Sequence, residues 1–137
     1  MQSNEKDFKK NVLVLDPDRE FCKNVGMFLE DRFNVYIRED VESLDYTILL
    51  NQIQLMLVNV DNADAAFLEE LSHIKKNHPE VKILFMYTIM PEKADIRLKI
   101  KKLADASIAK PFDVELLRIK MECLLRDVRS KRQFDFL

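Results

Sequence analysis

Five short apolar runs, each followed by a stretch in which apolar residues recur at helical spacing, constrain this chain more than any other feature. Val12-Leu13-Val14-Leu15, between Asn11 and Asp16, is continuous and β-branched, the pattern of a strand buried on both faces. Phe33 to Ile37, Leu55 to Val58, Ile83 to Tyr87 and Ala106 to Ala109 read as the other strands. Asp16 is placed to cap the first helix with Pro17 at its first position, and Phe21, Val25, Phe28 and Leu29 form its inner face. Asp40 is placed to cap the second, with Leu44, Ile48 and Leu49 inward and its end at Gln52. Phe67, Leu68, Leu71 and Ile74 line the third, which stops near His78-Pro79 because proline disfavours helical backbone in the residue before it. Pro91 opens the fourth, with Ile96, Ile100 and Leu103 inward. Phe112-Asp113 leads into a last helix carrying Leu116, Leu117, Met121, Leu124 and Val128. Strands separated by helices cannot pair as hairpins, and right-handed crossovers give a doubly wound five-stranded parallel sheet with helices on both faces.

At 137 residues the chain has room for one core. Residues 1–10 read as a polar N-terminal extension, 11–130 as the folded domain and 131–137 as a tail. With 47% hydrophobic and 34% charged residues the chain is too apolar to stay disordered and too charged for a bilayer. Met1 to Lys10 holds no apolar run of the signal-peptide kind, so a cytoplasmic location is expected. Cys22 and Cys123 sit within apolar patterns and read as small core residues of a reducing compartment. Lys and Arg total 22 against 24 for Asp and Glu, which gives no general attraction to nucleic acid or anionic lipid. A single glycine, Gly26, excludes the glycine-rich loops that cradle phosphates.

In parallel sheets of this kind ligands bind beyond the carboxyl ends of the strands, which singles out Asp16, Asn59, Thr88 and Lys110. Each has a plain reading as well. Asp16 serves as an N-cap, Asp18 as an acid in a first helical turn, Thr88 as a strand end and Lys110 as a turn lysine. His73 and His78 lack a second ligand at metal spacing and read as solvated or packing residues.

Taken together, Val12-Leu13-Val14-Leu15-Asp16, Leu55 to Asn59, Thr88 and Lys110-Pro111-Phe112 resemble the response-regulator receiver domain of two-component signalling. The interval from Thr88 to Lys110 and the Leu103-Ala104-Asp105-Ala106 run fit the same family, and the resemblance covers nearly the whole chain. It implies a flavodoxin-like (βα)5 fold with a cis bond at the Lys110-Pro111 step. In that family a strand-three aspartate takes a phosphoryl group from a histidine kinase with magnesium held by nearby acids. A threonine contacts the phosphoryl group and a lysine pairs with its charge.

This sequence departs from the pattern where the chemistry is done. Asn59 occupies the acceptor position, and a neutral amide oxygen is a poor nucleophile. Pro17 replaces an acid, leaving Asp16 and Asp18, so magnesium binding is expected to be weak or absent. Ser107 stands where the family commonly has an aromatic switch residue, and the loop from Val60 to Ala66 lacks the usual proline and glycine. The resemblance therefore implies a degenerate receiver, not an enzyme, acting through protein contacts without phosphorylation. Two alternatives stay open: a working receiver that uses another carboxylate such as Asp61, and a flavodoxin-like binder of a small anion near Lys110.

Lys93, Arg97, Lys99, Lys101 and Lys102 crowd the fourth helix, and Arg126, Arg129, Lys131 and Arg132 the end of the fifth. In the family the fourth helix, fifth strand and fifth helix form the usual output and dimerisation surface. The expected partner face is thus Lys93, Arg97, Lys101, Ser107, Pro111 and Phe112, suited to an acidic signalling protein or to a homodimer. Nucleic acid is the weaker fit, since no helix-turn-helix unit or aromatic platform is present, and no membrane role is expected.

Overall fold

The computed structural model describes residues 9–126. Its elements alternate without exception: β1 (Lys10–Leu15), α1 (Arg19–Leu29), β2 (Phe33–Arg38), α2 (Leu44–Asn51), β3 (Leu55–Asn59), α3 (Ala65–Asn77), β4 (Lys82–Tyr87), α4 (Ala94–Leu103), β5 (Ala106–Ala109) and α5 (Val114–Leu124). The strands form one parallel sheet in the order β2-β1-β3-β4-β5. This is the doubly wound, flavodoxin-like α/β fold.

The period-two rule of a strand divides the apolar runs between two cores. Val12, Val14, Leu55, Leu57, Leu84 and Met86 face α1 and α5, meeting Cys22, Val25, Leu117 and Met121. Leu13, Leu15, Met56, Val58, Ile83 and Phe85 face α2, α3 and α4, meeting Ile48, Leu71 and Ile100. Burial on both sides is why these strands carry continuous rather than alternating apolar sequence. The chain order reverses direction at β1 and β3, so their carboxyl ends, Asp16 and Asn59, flank the crevice where such sheets bind ligands.

Helix starts differ from the sequence expectation in three places. Asp16 does not cap α1; Asp18 does, its Oδ1 accepting the Phe21 N–H at 3.0 Å, and Pro17 precedes the cap. The Asp16 carboxylate is turned inward instead, as described below. Asp40 accepts the Glu42 N–H in a local turn, and α2 begins only after Ser43. Pro91 lies ahead of α4, whose N-cap is Lys93, because the Arg97 guanidinium binds the Pro91 and Glu92 carbonyls outside the helix.

The ends of α2 and α3 fall where expected, at Gln52, which adopts a left-handed conformation (φ 51°), and at His78. Lys10, assigned above to the polar extension, is the first residue of β1. Three residues expected to face inward are exposed: Phe28 (36%), Leu49 (71%) and Leu116 (46%). Each helix carries more apolar residues than one face can bury. In α2, only eight residues long, Leu44, Thr47 and Ile48 take the inner side. Cys22 is buried as expected, whereas Cys123 is exposed. Val128 and the tail 131–137 lie outside the described residues.

Candidate functional site

The ends of β1, β3 and β5 bring Asp16, Asn59 and Lys110 into one hydrogen-bonded cluster. Asp16 is 1% exposed. Its Oδ2 accepts from Lys110 Nζ at 3.1 Å and from Asn59 Nδ2 at 3.1 Å, and its Oδ1 accepts the Asp18 N–H at 2.9 Å. A buried carboxylate is tolerated only when it is paired and hydrogen-bonded, and here both oxygens are committed. Lys110 is held from the other side as well. Its Nζ lies 3.9 Å from the centre of the Phe21 ring, which packs edge-on to Phe112 with centroids 6.1 Å apart. The Lys110-Pro111 bond is cis.

The amide of Asn59 links this cluster to the next loop. Its Oδ1 accepts the Asp61 N–H at 2.8 Å, and its Nδ2 also approaches Asp61 Oδ2 at 3.4 Å. Asp61 lies past the end of β3, as its sequence position suggests, yet its carboxylate turns back into the site. Oδ1 accepts the Thr88 N–H at 2.6 Å and Oδ2 the Thr88 hydroxyl at 3.0 Å. Partial burial pushes the Asp61 carboxyl upward, but the Thr88 amide and hydroxyl, Asn59 and the Ile89 amide outweigh it, and the group is held below its ordinary range. Asp16, Asn59, Asp61, Thr88 and Lys110 thus form one continuous network across four strand ends.

The two residues that sequence reasoning undervalued are Asp61 and Phe21. For Asp61 the available signal was its two-residue offset from Asn59, which a turning loop converts into proximity. For Phe21 it was the T-shaped partner at Phe112, which becomes visible only once β5 and α1 are placed together. Pro17, with no side-chain donor or acceptor, stands at the mouth, where it lines a cleft of about 420 Å³ with Asn59, Asp64 and Phe67. The Asp18 carboxylate is engaged as the α1 cap, and only its backbone N–H reaches the cluster.

A divalent cation of the magnesium kind needs carboxylate oxygens that it can claim. Asp16 has both oxygens committed to protein donors, Pro17 offers none, Asn59 uses its carbonyl oxygen for Asp61, and both Asp61 oxygens accept from Thr88. Lys110 supplies at 3.1 Å the positive charge that a metal would bring to Asp16. The donor set does not fit the ion. Beneath the cluster, burial and the nearby carboxylates of Asp16 and Asp18 push the Cys22 thiol up to about 11, against the opposing charge of Lys110. Its Sγ donates to the Asp16 carbonyl oxygen at 3.4 Å.

The expected partner-face residues lie on α4, β5 and the loop after it, but they are not equally free. Arg97 is tied to the α4 entry, and Phe112 is half-buried against Phe21. Ser107 is partly buried on edge strand β5, and Lys93, Lys101 and Pro111 are exposed. His73 is exposed, and His78 Nε2 lies 3.0 Å from Asp45 Oδ1. Among the described residues no helix is long and apolar enough to cross a membrane.

The sequence matches no protein-family model and no curated protein. Solved structures do match. A response regulator from Thermotoga maritima is 25% identical, with a TM-score of 0.71 over 86% of this chain and 98% of that one. Chemotaxis protein CheY4 of Vibrio cholerae gives a TM-score of 0.72 at 17% identity, over 85% of this chain and 99% of that one. An orphan response regulator of H. pylori gives 0.70 at 22% identity, over 85% and 97%. The chain has the fold of the response-regulator receiver domain.

Proposed function

We propose that this chain is a receiver-type module of two-component signalling that works through protein contact and has given up phosphoryl transfer. The observation that carries this reading is the amide of Asn59. At the strand end where the fold would present an acceptor carboxylate, its nitrogen donates to Asp16 and its oxygen accepts from Asp61. Neither atom is a competent nucleophile towards phosphorus. The network that results is self-satisfied and joins the loops after β1, β3, β4 and β5 in one conformation.

Such a domain would act as a fixed surface in the cytoplasm. The surface we favour is α4-β5-α5, where Leu98 (54%), Leu116 (46%) and Ile119 (51%) stand exposed on the two helices that flank β5. Lys93, Lys101, Ser107 and Pro111 accompany them, which suits a signalling partner with an acidic surface or a second copy of the chain. A net charge of -2 and the absence of a DNA-reading helix pair among the described elements weigh against nucleic acid.

The position of Asp61 gives a second reading some support, since its carboxylate lies in the site against Thr88 and could serve as an acceptor. An amide-shift NMR titration, first with magnesium and then with beryllium fluoride as an acyl-phosphate mimic, separates the possibilities. The fixed-surface reading predicts no saturable shifts at Asp16, Asn59, Thr88 or Lys110. Shifts that require both reagents would overturn it, and their loss in Asp61→Asn would assign the acceptor to Asp61. Shifts with phosphate alone, in the absence of magnesium, would point to a small-anion binder.

A further inference from the structure

The cations that the sequence gathers on α4 divide in the structure. Lys93, Arg97 and Lys101 recur every four residues along one flank of the helix. Lys99 and Lys102 instead line a groove of about 320 Å³ between α4 and α3. From α3 the groove receives Ser72, His73 and Lys76, and Leu68 and Leu103 supply its apolar wall. Glu69 is the one acid among its lining residues.

Lys75, the neighbour of Lys76, shows what a structural lysine does here. Its ammonium donates to the Val81 carbonyl and to Asp105. Lys76, Lys99 and Lys102 make no hydrogen bond or ion pair among the described residues. Lys76 and Lys102 lie in the last turns of their helices, where the carbonyl dipoles favour a cation, but this accounts neither for Lys99 nor for the convergence of two helices' lysines on one groove. Like charges held together repel, and an incoming anion relieves that repulsion.

We propose that this groove docks an acidic amphipathic helix of a partner protein, its carboxylates meeting Lys76, Lys99 and Lys102 and one apolar side chain resting against Leu103. Two observations favour a protein segment over nucleic acid. Leu68 and Leu103 form an apolar wall that an amphipathic helix covers and a polynucleotide backbone does not, and the net charge of -2 gives no wider attraction to phosphates. The site lies on a different flank of α4 from Lys93 and Lys101, neither of which lines the groove.

The test is an amide-shift titration of the whole chain with a synthetic helix-forming peptide that carries glutamates at i, i+4 spacing around a single leucine. Saturable shifts at Ser72, His73, Lys76, Lys99, Lys102 and Leu103 are expected, with affinity falling roughly ten-fold as salt is raised from about 50 to about 300 mM. Lys99→Glu with Lys102→Glu should weaken binding roughly ten-fold or more, while the equal charge change Lys23→Glu with Lys120→Glu, on the opposite face of the sheet, leaves it within about two-fold. Circular dichroism checks each fold, and Lys99→Gln with Lys102→Gln replaces the reversal if it is unstable. The proposal is overturned by an absence of saturable shifts, by shifts centred on Lys93 and Lys101, or by tighter binding of a charge-matched single-stranded oligonucleotide.

Discussion

Two Lys–Asp pairs stand at opposite ends of the same sheet and make nearly the same contact, Lys110–Asp16 at 3.1 Å and Lys75–Asp105 at 3.3 Å. Their surroundings differ. At the carboxyl end the side chains of Lys110 and Asp16 are 18% and 2% exposed; at the amino end those of Lys75 and Asp105 are 26% and 25% exposed. Asp105 keeps a second donor in the Ile83 N–H, and Lys75 a second acceptor in the Val81 carbonyl, as expected of a pair that ties α3 to the β4 and β5 entries. Asp16 Oδ2 instead accepts from the amide of Asn59 as well as from Lys110. The same ion pair is thus a brace at one end and the centre of a buried network at the other, and burial rather than distance sets how much depends on it.

The two pairs should differ most when the lysine is removed, with the largest effect at Lys110. Lys110→Met should destabilise the fold by about 3–5 kcal/mol near neutral pH, because it strands a buried carboxylate, and Asp16→Asn in the same chain should recover much of that loss. Urea denaturation checks both. Asn59→Asp comes next, at about 2–3 kcal/mol, since it removes the donor to Asp16 and sets a third carboxylate beside Asp16 and Asp61. Millimolar magnesium should return part of that stability to the variant and none to the natural chain, a difference visible as a shift in melting temperature. Lys75→Met should cost about 1 kcal/mol or less, and equal losses for Lys75→Met and Lys110→Met would dissolve the distinction.

A smaller effect sharpens the account of Asp61. Its carboxyl is held below the ordinary value of 3.8, so the unfolded chain takes up the proton first and the folded state is favoured above that pH. That contribution should fade as pH falls from about 4 through the lower folded value, and Asp61→Asn should show a shallower loss over the same interval in acid-unfolding curves. Smallest is a kinetic contrast in the native state. Exposed Cys123 should react with iodoacetamide while Cys22, buried and pushed up to about 11, stays unmodified until the chain unfolds.

The sheet was legible because its signal is redundant. Val12 to Leu15 and Leu55 to Val58 are apolar at every position, as strands buried on both faces must be, and the helical stretches between them leave only parallel pairing. Helix faces were less so. Phe28 and Leu49 fit an inner-face pattern as well as Val25 and Ile48 do, and only the width of the sheet beneath decides between them. Asp16 shows how a local rule yields to a tertiary one: aspartate before proline is a good cap, but Lys110, distant in sequence, draws the carboxylate inward and leaves capping to Asp18. Asp61 could be placed near the site by its offset from Asn59, whereas its bonds to Thr88 depend on a loop path that local sequence does not encode.

Intact-mass spectrometry of the chain after incubation with acetyl phosphate and magnesium, repeated with a phosphoramidate donor, decides whether the site takes up a phosphoryl group. An unchanged mass under both donors is the predicted result. A gain of one phosphoryl group, removed by hydroxylamine as an acyl phosphate would be, would contradict it and show that a carboxylate here still accepts phosphate.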